Sequence, residues 1–152
     1  MMDKALFSSA TAEWETPHDL FAFLDKRFGF EVDVCATAEN AKCARWYDKE
    51  TDGLSREWAG RCWMNPPYGR EIGAWVRKAR LEAERGALVV GLLPARTDTK
   101  WWHENISNHA DVCFIAGRLR FGAAKNSAPF PSAVVVWWGG SVLNQKRGTQ
   151  NA

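Results

Sequence analysis

Apolar and polar positions alternate along the chain in two rhythms. Leu20, Phe21, Leu24 and Phe28 recur at helical spacing. Thr16 suits an N-cap, Pro17 the first helical position and Asp19 the first turn, while Gly29 ends the run. Phe30 to Ala36 alternates and then turns apolar, which predicts a strand carrying Asp33 near its C-terminal end. Residues 37–60 are polar and predict irregular structure around Trp46-Tyr47 and Asp52-Gly53-Leu54. A short strand over 61–65 breaks into Pro66-Pro67. Ile72, Trp75, Val76, Ala79 and Ala83 then mark one helix face closed by Gly86, with Arg70, Arg77, Lys78, Arg80 and Arg85 mostly off it. Ala87–Pro94 is continuously apolar, as in a buried parallel strand. A helix from Thr97-Asp98 to about Ile106 and strands over 112–115 and 133–138 complete the pattern.

Helices and strands alternate until the last two strands, which are close enough to form a hairpin. The expectation is an α/β fold: a largely parallel sheet with one antiparallel strand near the C-terminus. Residues 14–138 form the predicted domain, between a loose arm over 1–13 and a polar tail over 139–152. Ligands of such sheets bind beyond the carboxyl ends of the strands, where Asp33 and Asn65 both fall.

Composition narrows the class. At 152 residues the chain suits a single domain, and 46% hydrophobic with 25% charged residues is ordinary for a soluble one. The net charge of +2 neither requires nor forbids a nucleic-acid partner. Four cysteines without a C-x-x-C pair and three histidines complete no zinc pattern, so buried reduced thiols and no metal are expected. No stretch reads as a signal peptide or membrane span, which predicts a cytoplasmic protein. Neither G-x-G-x-x-G nor a Walker A sequence occurs.

The chemistry centres on Asn65-Pro66-Pro67-Tyr68. Two prolines fix the backbone and donate no hydrogen bonds, so the carbonyls of Asn65 and Pro66 point outward as acceptors. An amide, a rigid carbonyl and an aromatic ring within four residues suit a flat ring bearing an amine, such as adenine. The plain alternative is a Pro-Pro turn with Tyr68 packing locally. Asp33 is either a functional buried carboxylate or a solvated acid at a strand end.

Together these residues resemble the small phage and prophage DNA N6-adenine methyltransferases, the Dam-like phage family. The matching segments are Trp14-Glu15-Thr16-Pro17, Asp33-Val34-Cys35-Ala36 with Asn40, Asp52-Gly53-Leu54 and Asn65-Pro66-Pro67-Tyr68-Gly69. They continue with Leu93 to Thr99, Gly117 to Phe121 and Pro129 to Val135, so that they cover roughly residues 14–138. The resemblance implies a compact Rossmann-like fold, S-adenosylmethionine as methyl donor and a phage- or prophage-encoded enzyme of the host cytoplasm. Thr16 and Pro17 would border the donor's methionine end, Asp33 would accept from its ammonium, and Cys35 and Ala36 would line the first loop. Asp52 would bond the donor's adenine amine, with Leu54 beside that ring. Asn65 and Pro66 would hold the target amine, with Pro67 stiffening the loop and Tyr68 stacking on the base. Phe121 or Phe130 would stack from the opposite side, and Arg118, Arg120 and Lys125 would meet DNA phosphates.

The chain departs from the wider methyltransferase pattern. Ala36-Thr37-Ala38 replaces the glycine-rich loop after the first strand, and only 28 residues separate Ala36 from Asn65. The acid that holds the donor ribose lacks a clear counterpart, leaving Glu39 or Asn40. No separate target-recognition domain fits, and both monomer and homodimer stay open. Competing readings are a methyltransferase acting on RNA or protein glutamine, and a non-catalytic DNA-binding module. A nuclease built on Asp33, Asp52 and Glu57 lacks a compact acidic motif.

Overall fold

A computed structural model describes residues 14–122 and 126–140. The predicted arm over 1–13 and tail residues 141–152 lie outside the described residues, as does Lys125. The elements run α1 (His18–Phe28), β1 (Val32–Asp33), β2 (Arg45–Trp46), β3 (Arg61–Met64), α2 (Ile72–Glu84), β4 (Leu88–Pro94), α3 (Lys100–Asn105), β5 (Asp111–Phe114) and β6 (Ser132–Trp137). A single 3-10 turn covers Gly53–Ser55.

One six-stranded sheet carries the fold, in the order β2-β1-β3-β4-β6-β5. β2, β1, β3 and β4 pair in parallel, while β6 lies antiparallel between β4 and β5. This is the expected α/β architecture. β4 and β6 are both interior strands, and their buried residues match the continuous apolar runs that predicted them. Trp63 is in register with Val90 and Val136, whereas Trp137 is in register with Val89. The two indoles therefore lie on opposite faces. Trp63 meets Phe21 of α1 edge-on at 5.3 Å, and the Trp137 indole N–H donates to the Asn105 carbonyl of α3 at 2.8 Å. Helices thus cover both faces, as a parallel sheet requires.

On α2 two of the basic residues are tied to the helix's own acids. Lys78 Nζ lies 2.8 Å from Glu82, and Arg80 lies 2.7 Å from Glu84, both at i,i+4 spacing. Glu82 also accepts from the backbone N–H of Trp58, which fastens the loop before β3 to α2.

Three local expectations change. Thr16 does not cap α1: Pro17 occupies the N-cap position without a side-chain bond, and the Thr16 hydroxyl turns to Asn65 instead. α3 starts later than predicted, at Lys100, because the Thr99 hydroxyl accepts from the N–H of Trp102. The irregular stretch 37–60 contains β2, a two-residue strand held by β1 rather than by burial. The cysteines are not all buried as expected: Cys62 is, whereas Cys113 is exposed on β5.

Candidate active site

The chain leaves β1 for β2 on one side and returns to β3 on the other. A crevice opens at such a reversal, outside the carboxyl ends of the strands. Here it is a cleft of about 540 Å³. β1 ends at Asp33, β2 is followed by Tyr47-Asp48, and β3 is followed by Asn65. Asp33, Asp48 and Asn65 all line the cleft.

Asp33 is 3% exposed. Its Oδ1 accepts from the N–H of Cys35 at 3.3 Å, and its Oδ2 from that of Lys42 at 3.1 Å. Burial raises its pKa to about 6, against the opposing pull of those two N–H groups and of the Lys42 charge. A carboxylate in this position keeps a strong preference for a further cation. Cys35 and Ala36 follow it on the cleft wall. Asn40 lines the cleft too, while its Oδ1 accepts from the Thr37 N–H at 2.7 Å and so shapes the loop.

Asp52, Gly53 and Leu54 form another part of the wall. Asp52 is left-handed at φ 52°, outside the glycines an uncommon conformation. Gly53 is required by space: a Cβ there would stand 2.2 Å from the Val34 carbonyl oxygen and 3.0 Å from the Trp75 ring.

Asn65 is held from both ends. Its Nδ2 donates to the Trp14 carbonyl and, at 2.9 Å, to Thr16 Oγ1. Its Oδ1 accepts from the Tyr68 hydroxyl at 2.8 Å. Pro66 and Pro67 line the cleft beside it. Pro17 does not line it and instead opens α1.

Tyr68 is placed differently from the stacking platform expected of it. It is 5% exposed, its hydroxyl lies 2.7 Å from the Leu92 carbonyl oxygen, and its ring meets Phe121 and Phe130 edge-on at 6.1 and 5.5 Å. Phe121 and Phe130 are themselves buried. None of these three rings lines the cleft, because the aromatic cluster closes on itself. Arg118 and Arg120 are exposed on the loop between β5 and β6.

Among the cleft residues that escaped the sequence reading of the site are Asp48, Lys42 and Trp14. Asp48 stands just past β2; the Trp46-Tyr47 pair before it was the available signal for a short strand end. Thr51 donates to its carboxylate from N–H and hydroxyl, at 2.9 and 3.0 Å, and holds its pKa low. Lys42 had no sequence signal; it lines the cleft and reaches Glu15 at 4.0 Å. Trp14 was visible only as part of a motif. Among the described residues no helix is long and apolar enough to cross a membrane, and no three His, Cys, Asp or Glu side chains cluster as a metal site.

The chain is similar to a DNA N-6-adenine-methyltransferase of Escherichia phage T1, 36% identical over 109 residues, which cover 70% of this chain and 45% of that protein. It is likewise similar to a DNA N-6-adenine-methyltransferase of Haemophilus phage HP1, 31% identical over 105 residues, 67% of this chain and 61% of that one. The chain thus spans about half the length of these curated relatives. A family model matches residues 5–138, a span that includes every strand and the whole cleft. By that match the chain belongs to the DNA N-6-adenine-methyltransferase (Dam) family.

Proposed function

We propose that the protein methylates the exocyclic N6 amine of adenine in DNA, with S-adenosylmethionine as donor. The observation that carries this reading is one cleft lined by both a buried carboxylate, Asp33, and an Asn-Pro-Pro loop whose amide is held in place. The residues present fit the donor. Asp33 suits its ammonium, Gly53 lets the wall close onto Val34 and Trp75 where a Cβ would clash, and Asp52 and Leu54 suit an adenine ring. Thr16, Cys35, Ala36 and Asn40 complete this wall. Asp48, at the end of β2, is the best acceptor for the ribose hydroxyls, ahead of Glu39 or Asn40. When bound, the donor supplies an electrophilic methyl group.

The amine of adenine is a poor nucleophile because its lone pair is delocalised into the ring. Asn65 Oδ1 and the Pro66 carbonyl would accept its two hydrogens and favour a pyramidal nitrogen. Pro67 stiffens the loop that holds them, so positioning and electrostatics supply most of the rate and no strong base is needed. A duplex must release the base from its stack, at a cost of about a few kcal/mol. Arg118 and Arg120 are exposed where phosphates could reach them, and Lys125 would join them from outside the described residues.

The test is transfer of a labelled methyl group to unmethylated DNA, followed by nucleoside mass analysis, with Asn65→Ala in parallel. N6-methyladenine formed by the intact protein and lost in the variant supports the reading. Donor binding without label in single- or double-stranded DNA overturns it in favour of RNA or protein glutamine. No donor binding at all favours a DNA-binding module.

A further inference from the structure

Three aromatic residues line the cleft, Trp14, Tyr47 and Trp75, and Trp14 is the one bonded to Asn65. Tyr68, Phe121 and Phe130 are all buried and absent from the cleft wall, whereas Trp14 is half-buried and lines it with Asn65 and Pro66. Its ring is braced edge-on against Phe121 at 5.4 Å and Phe130 at 5.2 Å. Those buried rings thus support Trp14 from behind, and Glu15 continues the strap toward Lys42 across the cleft.

The main chain of the same residue acts on Asn65. An amide can present either end, and its partners decide which. The Tyr68 hydroxyl has one proton and two acceptors within reach, Asn65 Oδ1 at 2.8 Å and the Leu92 carbonyl oxygen at 2.7 Å. Thr16 Oγ1 can donate or accept. The reversed amide would also satisfy those three groups, with Nδ2 on the tyrosine oxygen and the tyrosine proton on Leu92. The Trp14 carbonyl breaks the tie, because it can only accept and therefore requires Nδ2. Oδ1 is left facing Tyr68 with a second lone pair for an amine hydrogen. The reversed amide would oppose N–H to N–H.

We propose that Trp14 sets the target-adenine site: its carbonyl selects the accepting orientation of Asn65, and its indole is the wall on which the base stacks. Tyr68 then works from behind, through its hydroxyl. This inference rests on the methyltransferase reading above.

The test compares Trp14→Phe with Trp14→Leu in the full chain. Both keep an apolar side chain against Phe121 and Phe130, and only the first keeps an aromatic face. Initial rates of labelled methyl transfer over a range of DNA concentrations, donor binding by calorimetry and thermal midpoints are measured on each, beside Asn65→Ala. Stacking at about 1–3 kcal/mol per base predicts that Trp14→Leu loses about fivefold or more in kcat/KM for DNA. Trp14→Phe should stay within about threefold, with donor affinity and thermal midpoint similar in the two variants. Equal rates for Phe and Leu, or a rate for Leu at or above that of the intact protein, overturn the assignment. If the intact protein forms no N6-methyladenine, the functional reading itself fails. If it does, and Asn65→Ala abolishes it while Trp14→Leu is unaffected, only the role of Trp14 falls.

Discussion

Tyr68 touches Asn65 through its hydroxyl, 2.8 Å from Oδ1, while its ring is turned into the aromatic cluster with Phe121 and Phe130. Tyr68→Phe therefore separates the two parts of the side chain. A neutral hydrogen bond contributes about 0.5–1.5 kcal/mol, so turnover should fall by about threefold to tenfold with donor affinity unchanged. Steady-state kinetics check this. Full activity in the variant would assign the residue's contribution to its ring alone.

Asp33 gives the site a pH dependence of known sign. Its folded-state pKa of about 6 lies above the ordinary 3.8, because burial penalises the charge. Its contribution to stability is therefore greatest below about pH 4 and is lost as pH rises through 6, a span worth about 3 kcal/mol. Asp33→Asn removes this slope, so denaturant unfolding of the two proteins at pH 4 and pH 7 should differ by that amount. Donor binding runs the other way. If Asp33 holds the donor ammonium as proposed, binding needs the ionised carboxylate, so affinity should rise up to about tenfold per unit toward pH 6 and then level off. Calorimetry giving a flat profile from pH 5 to 7 would detach Asp33 from the donor.

Asp48 is expected to hold the donor without holding the fold. Its carboxylate is pinned by Thr51, and it sits past the end of β2 on the cleft wall. Hydrogen bonds to a charged group predict that Asp48→Ala raises the donor Kd by about tenfold or more. The melting temperature in the absence of donor should move little. An unchanged Kd would return the ribose to Asn40 or Glu39.

Gly53→Ala tests how tightly the floor of the cleft is built. The new methyl would meet the Val34 carbonyl oxygen and the Trp75 ring, neither of which can swing away. Overpacking of this kind costs about 1–3 kcal/mol, read as a lower urea midpoint, and donor affinity should fall with it. A variant as stable as the parent would show that the 3-10 turn shifts freely.

Much of this architecture was legible from residue pattern alone. The unbroken apolar runs of β4 and β6 announced central strands, and the abrupt Pro-Pro after Met64 announced the loop. β2 was hidden because Arg45 and Trp46 are both exposed and gain their strand geometry from β1. Asp48 was hidden with it, since its place depends on where that strand ends. Thr16 before Pro17 carries the signature of a helix cap, yet the bond that decides its position comes from Asn65, 49 residues away. Tyr68 is absent from the cleft wall and Trp14 is part of it for a related reason. Which ring faces a cleft depends on packing between distant segments, and local sequence does not record it.

The Leu92 carbonyl that meets the Tyr68 hydroxyl belongs to the middle of β4, in register with Val134 of β6. The Tyr68 hydroxyl thus stands between Asn65 and the buried interior of the sheet. Turnover then becomes a property that laboratory evolution can adjust from the interior. Substitutions around Leu92 and Val134 that slide one strand by a fraction of an ångström would retune Asn65 while leaving every ligand contact in place.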